Sequence, residues 1–285
     1  MRHLAAAIAC ALLLVPAVAS AERGELTESS PSTLEPHEVR IGLFDVGVGL
    51  WGSKLLDRFE VSSHHFVWAT WAGGLPSYDV HAKFEFWRED NLSMSVGGGI
   101  TSIDLRPIVS AARANDMATE LAFRVVPLEG WAGYRLGGRA RLTAGAVYTH
   151  VSLGGHTEAG PIDELGGAIG TSNLELHGTG QVRLSRSWNV IVGARVLAYQ
   201  AQYAQVRVAE MVGASDQGTV SNETRAEGDM FGVGGAWTAN VAFHLARPHF
   251  NLRLGLEYGN YHVPMINLVV PSRGWMPTFD LYWRI

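Results

Sequence analysis

The sequence predicts an all-β protein, an antiparallel transmembrane β-barrel in one domain, and three observations support this prediction. Apolar side chains recur at every second position over most of the chain, the connections alternate between short and long, and the chain ends on a strand with one apolar face. Successive side chains of a strand point to opposite faces. An apolar face that recurs on nearly every strand is typical of a barrel wall in contact with lipid.

The N-terminal residues predict export. A basic start at Arg2, an apolar stretch over residues 4–17 and small residues at positions 19 and 21 indicate a signal peptide over residues 1–21. Cys10 is the only cysteine and lies within this stretch, so we expect the mature chain to contain no disulfide and no cysteine-based metal site.

The next segment, residues 22–36, is acidic and rich in Ser and Pro, with no apolar period. Such a composition does not bury enough apolar surface to fold alone, so we expect a flexible periplasmic N-terminal segment. Residues 37–285 are predicted to form the barrel.

The two-residue period assigns eleven strands, at residues 38–50, 60–72, 77–88, 91–104, 119–136, 139–153, 173–184, 188–203, 229–245, 249–262 and 275–285. Both ends of a single-chain bacterial barrel lie on the same side, so the number of strands must be even. The alternation is weakest between Gly47 and Ser77, where a strand could be miscounted. We therefore expect twelve strands, with ten as the alternative.

Short turns and long connections alternate along the barrel. The short turns lie near Glu89, Gly137, Ser185 and Arg247, and the long connections cover residues 104–118, 154–172, 210–228 and 262–274. This alternation is typical of periplasmic turns and extracellular loops.

The last strand has an apolar face formed by Phe279, Leu281, Trp283 and Ile285. It resembles the C-terminal strand of Gram-negative outer-membrane β-barrels, in which apolar residues at alternate positions from the end serve as an assembly signal. The resemblance implies an outer-membrane location and recognition by the barrel-assembly machinery. That family usually ends in Phe, whereas this chain ends in Ile285.

The polar faces of the strands carry both charges and predict a lumen network of Asp79, His81, Lys83, Glu85, Glu175, His177, Arg183, Arg253 and Glu257. At ten to twelve strands the lumen lies between a side-chain-filled barrel and a wide channel. We expect a largely filled interior, and the alternative is a narrow pathway for a small polar solute. Without the signal peptide the charge is 21 − 27 = −6, which argues against a nucleic-acid partner.

One local pattern predicts catalysis. His150 and Ser152 share the face of Leu142, which is the lipid side, near the long-loop end of their strand. They resemble the His-x-Ser of outer-membrane phospholipase A and of the lipid A deacylase, and Glu164 follows twelve positions later. The resemblance implies Ser152 as nucleophile, His150 as base and Glu164 as the group that orients the histidine. Both families typically follow the serine with Asn, where this chain has Leu153.

Two other patterns predict no site. His64 and His65 are adjacent and so point to opposite faces of a strand, and we expect no metal site. Residues 47–52 fit GxGxxG, but no βαβ unit surrounds them, so no nucleotide cofactor is expected.

The leading functional hypothesis is a barrel without catalytic chemistry, in a structural or surface-exposed, loop-presenting role. The alternatives are a narrow channel for small polar solutes and a lipid ester hydrolase acting at the outer leaflet. No sequence feature identifies a solute or a loop partner.

Overall fold

A computed structural model describes residues 31–89, 91–107, 119–159, 162–210, 219–230, 236–260, 262–263, 268–269 and 273–285. The predicted signal peptide and residues 22–30 lie outside the described residues. Within the described ranges, no helix is both long enough and apolar enough to cross a membrane.

Nearly all of the described chain forms strands. They are β1 (Val39–Gly42), β2 (Asp45–Gly49), β3 (Phe59–His64), β4 (Ser77–Arg88), β5 (Leu92–Asp104), β6 (Thr119–Leu136), β7 (Ala140–Ala159), β8 (Ile162–Arg183), β9 (Trp188–Glu210), β10 (Thr219–Met230), β11 (Trp237–Ala246), β12 (Phe250–Gly259), β13 (His262–Val263), β14 (Leu268–Val269) and β15 (Gly274–Arg284). A helix, α1, covers His65–Ala72, and a 3₁₀ turn covers Leu56–Arg58.

The strands close into a ring. β1 pairs with β15, where Arg40 stands opposite Arg284, and β8 pairs with β9 to complete the circle. β10 and β11 both pair with β9, beside residues 199–210 and 188–196 respectively, so they share one position. The described strands thus form a closed antiparallel barrel of twelve positions, which confirms the predicted fold class and strand number.

The wall is polar inside and apolar outside. On β4, Asp79, Lys83 and Glu85 are buried, whereas the alternating Tyr78 and Val80 are exposed. The same alternation recurs around the ring, with apolar residues exposed at Leu142, Leu176, Val192, Val241, Leu254 and Phe279. An exposed apolar band around a polar interior is the pattern of a barrel that faces lipid.

The predicted strand at 38–50 is wrong, because the chain turns at Leu43 and Phe44 and forms both β1 and β2 there. The turn that divides these two strands therefore lies just before the stretch from Gly47 to Ser77, where a miscount was expected. An apolar turn between two short strands leaves the two-residue period without a visible break. The predicted strand at 60–72 is also wrong beyond His64, where α1 begins.

Two predicted loops are largely strand. The connection expected at residues 154–172 is occupied by the ends of β7 and β8, and most of the described part of 210–228 belongs to β10. These stretches are polar and rich in Gly, and the two-residue apolar period fades because they extend past the roughly 10 residues that span a bilayer.

The barrel wall differs greatly in height. The low wall, formed by β1, β2 and β3, has strands of 4, 5 and 6 residues. The tall wall, formed by β6, β7, β8 and β9, has strands of 18, 20, 22 and 23 residues. We call the end with the turns at 137–139, 184–187 and 247–249 the turn end, and the opposite end the loop end. The low wall rises from the turn end.

Helix α1 continues the wall where the low strands stop. The His65 N–H donates to the Phe44 carbonyl oxygen at 2.8 Å, and the Ser77 hydroxyl donates to the Val67 carbonyl oxygen at 2.9 Å. Val67 is buried, whereas Trp68 is exposed. Backbone in lipid must satisfy its own hydrogen bonds, and a helix does so without a neighbouring strand. This explains why an apolar segment beside short strands becomes helical.

Candidate functional site

The N-terminal residues enter the lumen at the turn end. Leu34 is 1% exposed, and its N–H donates to a Glu60 carboxylate oxygen at 3.1 Å. The Arg141 guanidinium donates to the Ser32 hydroxyl at 3.1 Å, and the Thr33 hydroxyl donates to Glu85 at 3.5 Å. We call residues 31–35 the plug segment. This part of the predicted flexible segment is held inside the barrel.

Two glycines make room for the plug segment. A Cβ on Gly49 would lie 1.9 Å from the Glu35 carbonyl oxygen, and a Cβ on Gly133 would lie 2.8 Å from a ring carbon of Pro31. Each strand position therefore requires the absence of a side chain. Gly49 belongs to the GxGxxG match, and its position against the plug segment gives that glycine a packing role.

The predicted lumen residues are placed on the inner face of the wall. Asp79, Lys83, Glu85, Glu175 and Glu257 are buried, and His81, His177 and Arg253 are partly buried. Arg183 is exposed at the turn end, where β8 ends.

Opposite charges meet in the lumen, both between neighbouring strands and between strands two positions apart in the ring. A nitrogen of Arg195 lies 3.1 Å from a Glu257 oxygen on the tall-wall side. Near the low wall, Arg40 contacts both Asp45 and Glu60, with a distance of 3.3 Å to the latter. These contacts hold the charges of the lumen in fixed places, because breaking a buried pair leaves an uncompensated charge.

The interior holds separate cavities. One of about 300 Å³, the low-wall cavity, is lined by Arg40, Glu60, His64, His81 and Lys83, among others. Another of about 130 Å³, the tall-wall cavity, is lined in part by β7, β8 and β9, with Arg141, His177 and Arg195 among its residues. Both are lined mainly by polar side chains and are large enough for water or small solutes.

Two histidines and an aspartate meet on the lumen side of β3 and β4. His64 Nδ1 lies 3.0 Å from one Asp79 oxygen, and His81 Nε2 lies 3.0 Å from the other. The Thr101 hydroxyl also donates to Asp79. This group is not apparent from the pair His64 and His65, because its members lie on different strands. Its signal is an Asp-x-His pair on one strand face beside a neighbouring strand that ends in His.

The structure places His150 on the outer face, beside a different serine from the predicted one. His150 Nδ1 lies 3.0 Å from the Ser172 hydroxyl on β8, and the Tyr203 hydroxyl lies 3.2 Å from His150 Nε2. Ser152 lies two positions along β7, opposite Gly170. Glu164 lies on β8 and not in a loop, and its side chain lies outside the described residues. The proposed catalytic roles stay a prediction.

Three residues of the predicted assembly signal, Phe279, Leu281 and Trp283, lie on β15, and Ile285 follows that strand directly. Phe279 and Trp283 are exposed on the outer face, and β15 carries them between β12 and β1. Their recognition by an assembly machinery stays a prediction.

Comparison with known proteins assigns no family to this chain. Neither a protein-family model nor a curated protein matches the sequence. Similar solved structures include the unliganded ferric citrate transporter FecA, at 10% identity and a TM-score of 0.41, with 88% of this chain and 42% of that chain covered. The chain thus spans less than half the length of that transporter.

Two further similar structures are closer to this chain in length. The translocator domain of the autotransporter NalP from Neisseria meningitidis has 10% identity and a TM-score of 0.38, with 87% of this chain and 85% of that chain covered. The toluene transporter TbuX from Ralstonia pickettii has 9% identity and a TM-score of 0.30, with coverages of 88% and 78%. All three are outer-membrane β-barrel proteins.

Proposed function

We propose that the protein is a narrow pathway for small polar solutes across the outer membrane of a Gram-negative cell, closed at one end by the plug segment. The predicted signal peptide over residues 1–21 would export the chain. The described N-terminal residues and the C-terminal Ile285 lie together at the turn end, where Val39 and Ile285 exchange backbone hydrogen bonds. The turn end would then face the periplasm, as in bacterial barrels. The assembly machinery would recognise β15.

The observation that carries this proposal is how the plug segment is held. Three hydrogen bonds and one buried leucine attach it to the wall: Thr33 and Leu34 donate to Glu85 and Glu60, Ser32 accepts from Arg141, and the Leu34 side chain is buried. Together these contacts are worth roughly 3–7 kcal/mol. Ordering a segment costs about 1 kcal/mol or more per residue, which offsets much of that gain. The segment can therefore leave while the ladder of wall hydrogen bonds stays intact.

The polar cavities supply the rest of the pathway. The low-wall and tall-wall cavities lie within one ring whose interior charges are fixed in pairs, such as Arg195 with Glu257. Small polar solutes fit cavities of this size, whereas large ones do not. The role is thus a selective, low-conductance pathway and not a wide pore.

Conductance in planar bilayers tests the proposal. The mature chain, starting at residue 22, is compared with a chain that starts at residue 36 and so lacks the plug segment. A chain starting at residue 31 is the matched control, because it is truncated but keeps the plug segment. We expect brief, rare openings for the mature chain and the control, and long-lived openings for the chain without the plug segment. Silence of all three would overturn the proposal and leave a structural or loop-presenting barrel.

The contact between His150 and Ser172 favours a second candidate, a lipid ester hydrolase at the outer leaflet. An imidazole 3.0 Å from a hydroxyl on the outer face is the pair that acyl transfer from a lipid needs. Ser152→Ala and Ser172→Ala should be assayed in parallel for fatty-acid release from mixed lipid vesicles. Loss of fatty-acid release in Ser152→Ala would assign Ser152, the nucleophile predicted from the sequence. Loss of release in Ser172→Ala would assign Ser172, the serine in contact with His150. Absence of release by the unmodified chain contradicts both.

A further inference from the structure

We propose that His64, Asp79 and His81 form a binding site for a divalent transition-metal ion, such as Zn²⁺, on the inner face of the wall. The site lies where β3 ends beside β4. It does not depend on solute passage, and so it goes beyond the proposed channel.

The ligand atoms have the required chemistry. Two imidazole nitrogens and a carboxylate oxygen are the ligands of many open zinc sites, in which water or substrate takes the fourth position. The three groups place their ligand atoms within 4.8 Å of one another. In tetrahedral zinc sites with bonds near 2.0 Å, ligand atoms lie about 3.3 Å apart. The two distances of 3.0 Å from Asp79 to His64 and His81 are already close to that value.

The backbone arrangement holds these groups together without requiring long side chains. Asp79 and His81 stand two positions apart on β4, so they share the lumen face. Ser62 pairs with His81, and the register continued by two residues brings His64 opposite Asp79. The His64 N–H also donates to the Asp79 carboxylate at 2.5 Å.

A second layer of contacts fixes the orientation of the ligands. The Thr101 hydroxyl donates to Asp79 from β5, where the two residues are paired. A Cβ on Gly99 would lie 2.4 Å from His81 Nδ1, so the imidazole occupies the space that a side chain would take and presents Nε2 to Asp79. Such outer contacts raise metal affinity by holding ligands in place before the ion arrives.

The site is accessible and its surroundings are acidic. The side chains of His64 and His81 are 39% and 20% exposed, and both line the low-wall cavity, whereas the Asp79 side chain is fully buried. Three carboxylates and two cations line the same cavity: Asp45, Glu60 and Glu129 against Arg40 and Lys83. With Asp79, the local balance is negative, which favours a cation.

The donor set selects the class of metal. Imidazole suits Zn²⁺, Co²⁺, Ni²⁺ and Cu²⁺, whereas Mg²⁺ and Ca²⁺ prefer oxygen ligands. We therefore expect binding of Zn²⁺ and Co²⁺ and none of Mg²⁺.

Calorimetric titration of the mature, detergent-folded barrel with ZnCl₂, and the visible spectrum of its Co²⁺ form, test the site. We expect one ion per chain at this site and a tetrahedral Co²⁺ spectrum. His64→Gln, His81→Gln and Asp79→Asn should each lower the affinity at least about 100-fold, since even the loss of an outer contact commonly costs 10- to 100-fold. Thr101→Val should lower it roughly 10-fold.

The matched control is His177→Gln, which removes another lumen-facing histidine beside a carboxylate, Glu175, at 3.4 Å. We expect it to bind Zn²⁺ like the unmodified chain. Heat-modifiable migration confirms that each variant is folded. If a variant fails to fold, the site is still tested by the Co²⁺ spectrum of the unmodified chain and by His64→Gln, which changes a partly exposed side chain. Absence of saturable binding, or binding unchanged by all three ligand substitutions, would show a hydrogen-bonded cluster only and overturn the proposal.

Discussion

The low wall and the tall wall stabilise the same ring by different means. Each strand of the tall wall forms many backbone pairs with its neighbours. For example, β8 pairs with both β7 and β9 over most of its 22 residues. The low-wall strands have at most 6 residues and form three to five residue pairs with each partner. Helix α1 and the plug segment supply the contacts that these strands do not make.

The two walls also differ in where a functional group can be placed. In the tall wall, most side chains serve a continuous sheet that tolerates the loss of single contacts. In the low wall, the Glu60 carboxylate accepts a hydrogen bond from Leu34 of the plug segment, and His64 contacts Asp79 on the next strand. Where the strands are short, few hydrogen bonds join them, and lumen side chains lie close to the strand ends. There the plug segment or a bound ion can supply contacts that the sheet does not.

The largest expected effect comes from placing the same proline in both walls. Val61→Pro on β3 removes a ladder hydrogen bond from a strand that pairs on both sides, with Val48 and Ala82. Ala168→Pro on β8 makes the same change beyond the bilayer-spanning part of the tall wall, between Gly154 and Gln205. We expect the first to abolish heat-modifiable migration and the second to preserve it. Equal folding of both variants would contradict the difference between the walls.

The next effect concerns α1. Val67→Asp places a carboxylate at a position that is 1% exposed and should lower the free energy of unfolding by about 3–5 kcal/mol, because the charge has no partner of its own there. Urea unfolding followed by tryptophan fluorescence measures this change, with Val67→Ile as the control for shape. An aspartate variant as stable as the isoleucine variant would show that α1 does not support the low wall.

A smaller effect is expected for the plug segment. Leu34→Ala removes the buried anchor and should weaken seating of the segment by about 2 kcal/mol, or roughly 30-fold in population. Protease cleavage of the N-terminal segment in the folded barrel reports this population. Leu55→Ala is the control, because that leucine is 59% exposed. Cleavage at the unmodified rate would mean that Leu34 does not hold the segment.

The smallest effect lies on the outer face of the tall wall. Tyr203→Phe removes the hydroxyl that lies 3.2 Å from His150 and should cost only about 0.5–1.5 kcal/mol of unfolding free energy. Tyr134→Phe, at an exposed tyrosine of β6, provides the baseline in the same urea titration. A loss above about 3 kcal/mol would show that the tall wall lacks the redundancy ascribed to it.

The sequence predicted the barrel and the polar lumen, because the two-residue period directly records which side chains face lipid. The period alone assigned eleven strands, and the requirement for an even number led to twelve. The prediction failed where the period carries no information. The turn at Leu43 and Phe44 is apolar, so one predicted strand covered two real strands. The residues of α1 are almost all apolar, so no polar face distinguishes this helix from a strand.

The candidate sites were less accessible to sequence reasoning. His64 and Asp79 belong to different strands, and only the register between β3 and β4 brings them together. The plug segment has the composition of a flexible segment, and its position depends on the glycines of the wall, such as Gly133, that leave space for it. Contacts between distant segments of this kind are set by the closed ring and leave no periodic pattern in the chain.

A reversible cross-link tests whether the plug segment closes the lumen beside the low wall. The mature chain is expected to contain no cysteine, so Pro31→Cys combined with Gly133→Cys creates one defined pair at a point of close approach. The Pro31→Cys change also removes the ring carbon that a side chain at position 133 would meet. We expect the oxidised variant to form the cross-link and to show no openings in planar bilayers. Reductant should then restore openings to the level of the single variant Gly133→Cys. Openings that persist in the cross-linked barrel, or a pair that never cross-links, would contradict the account.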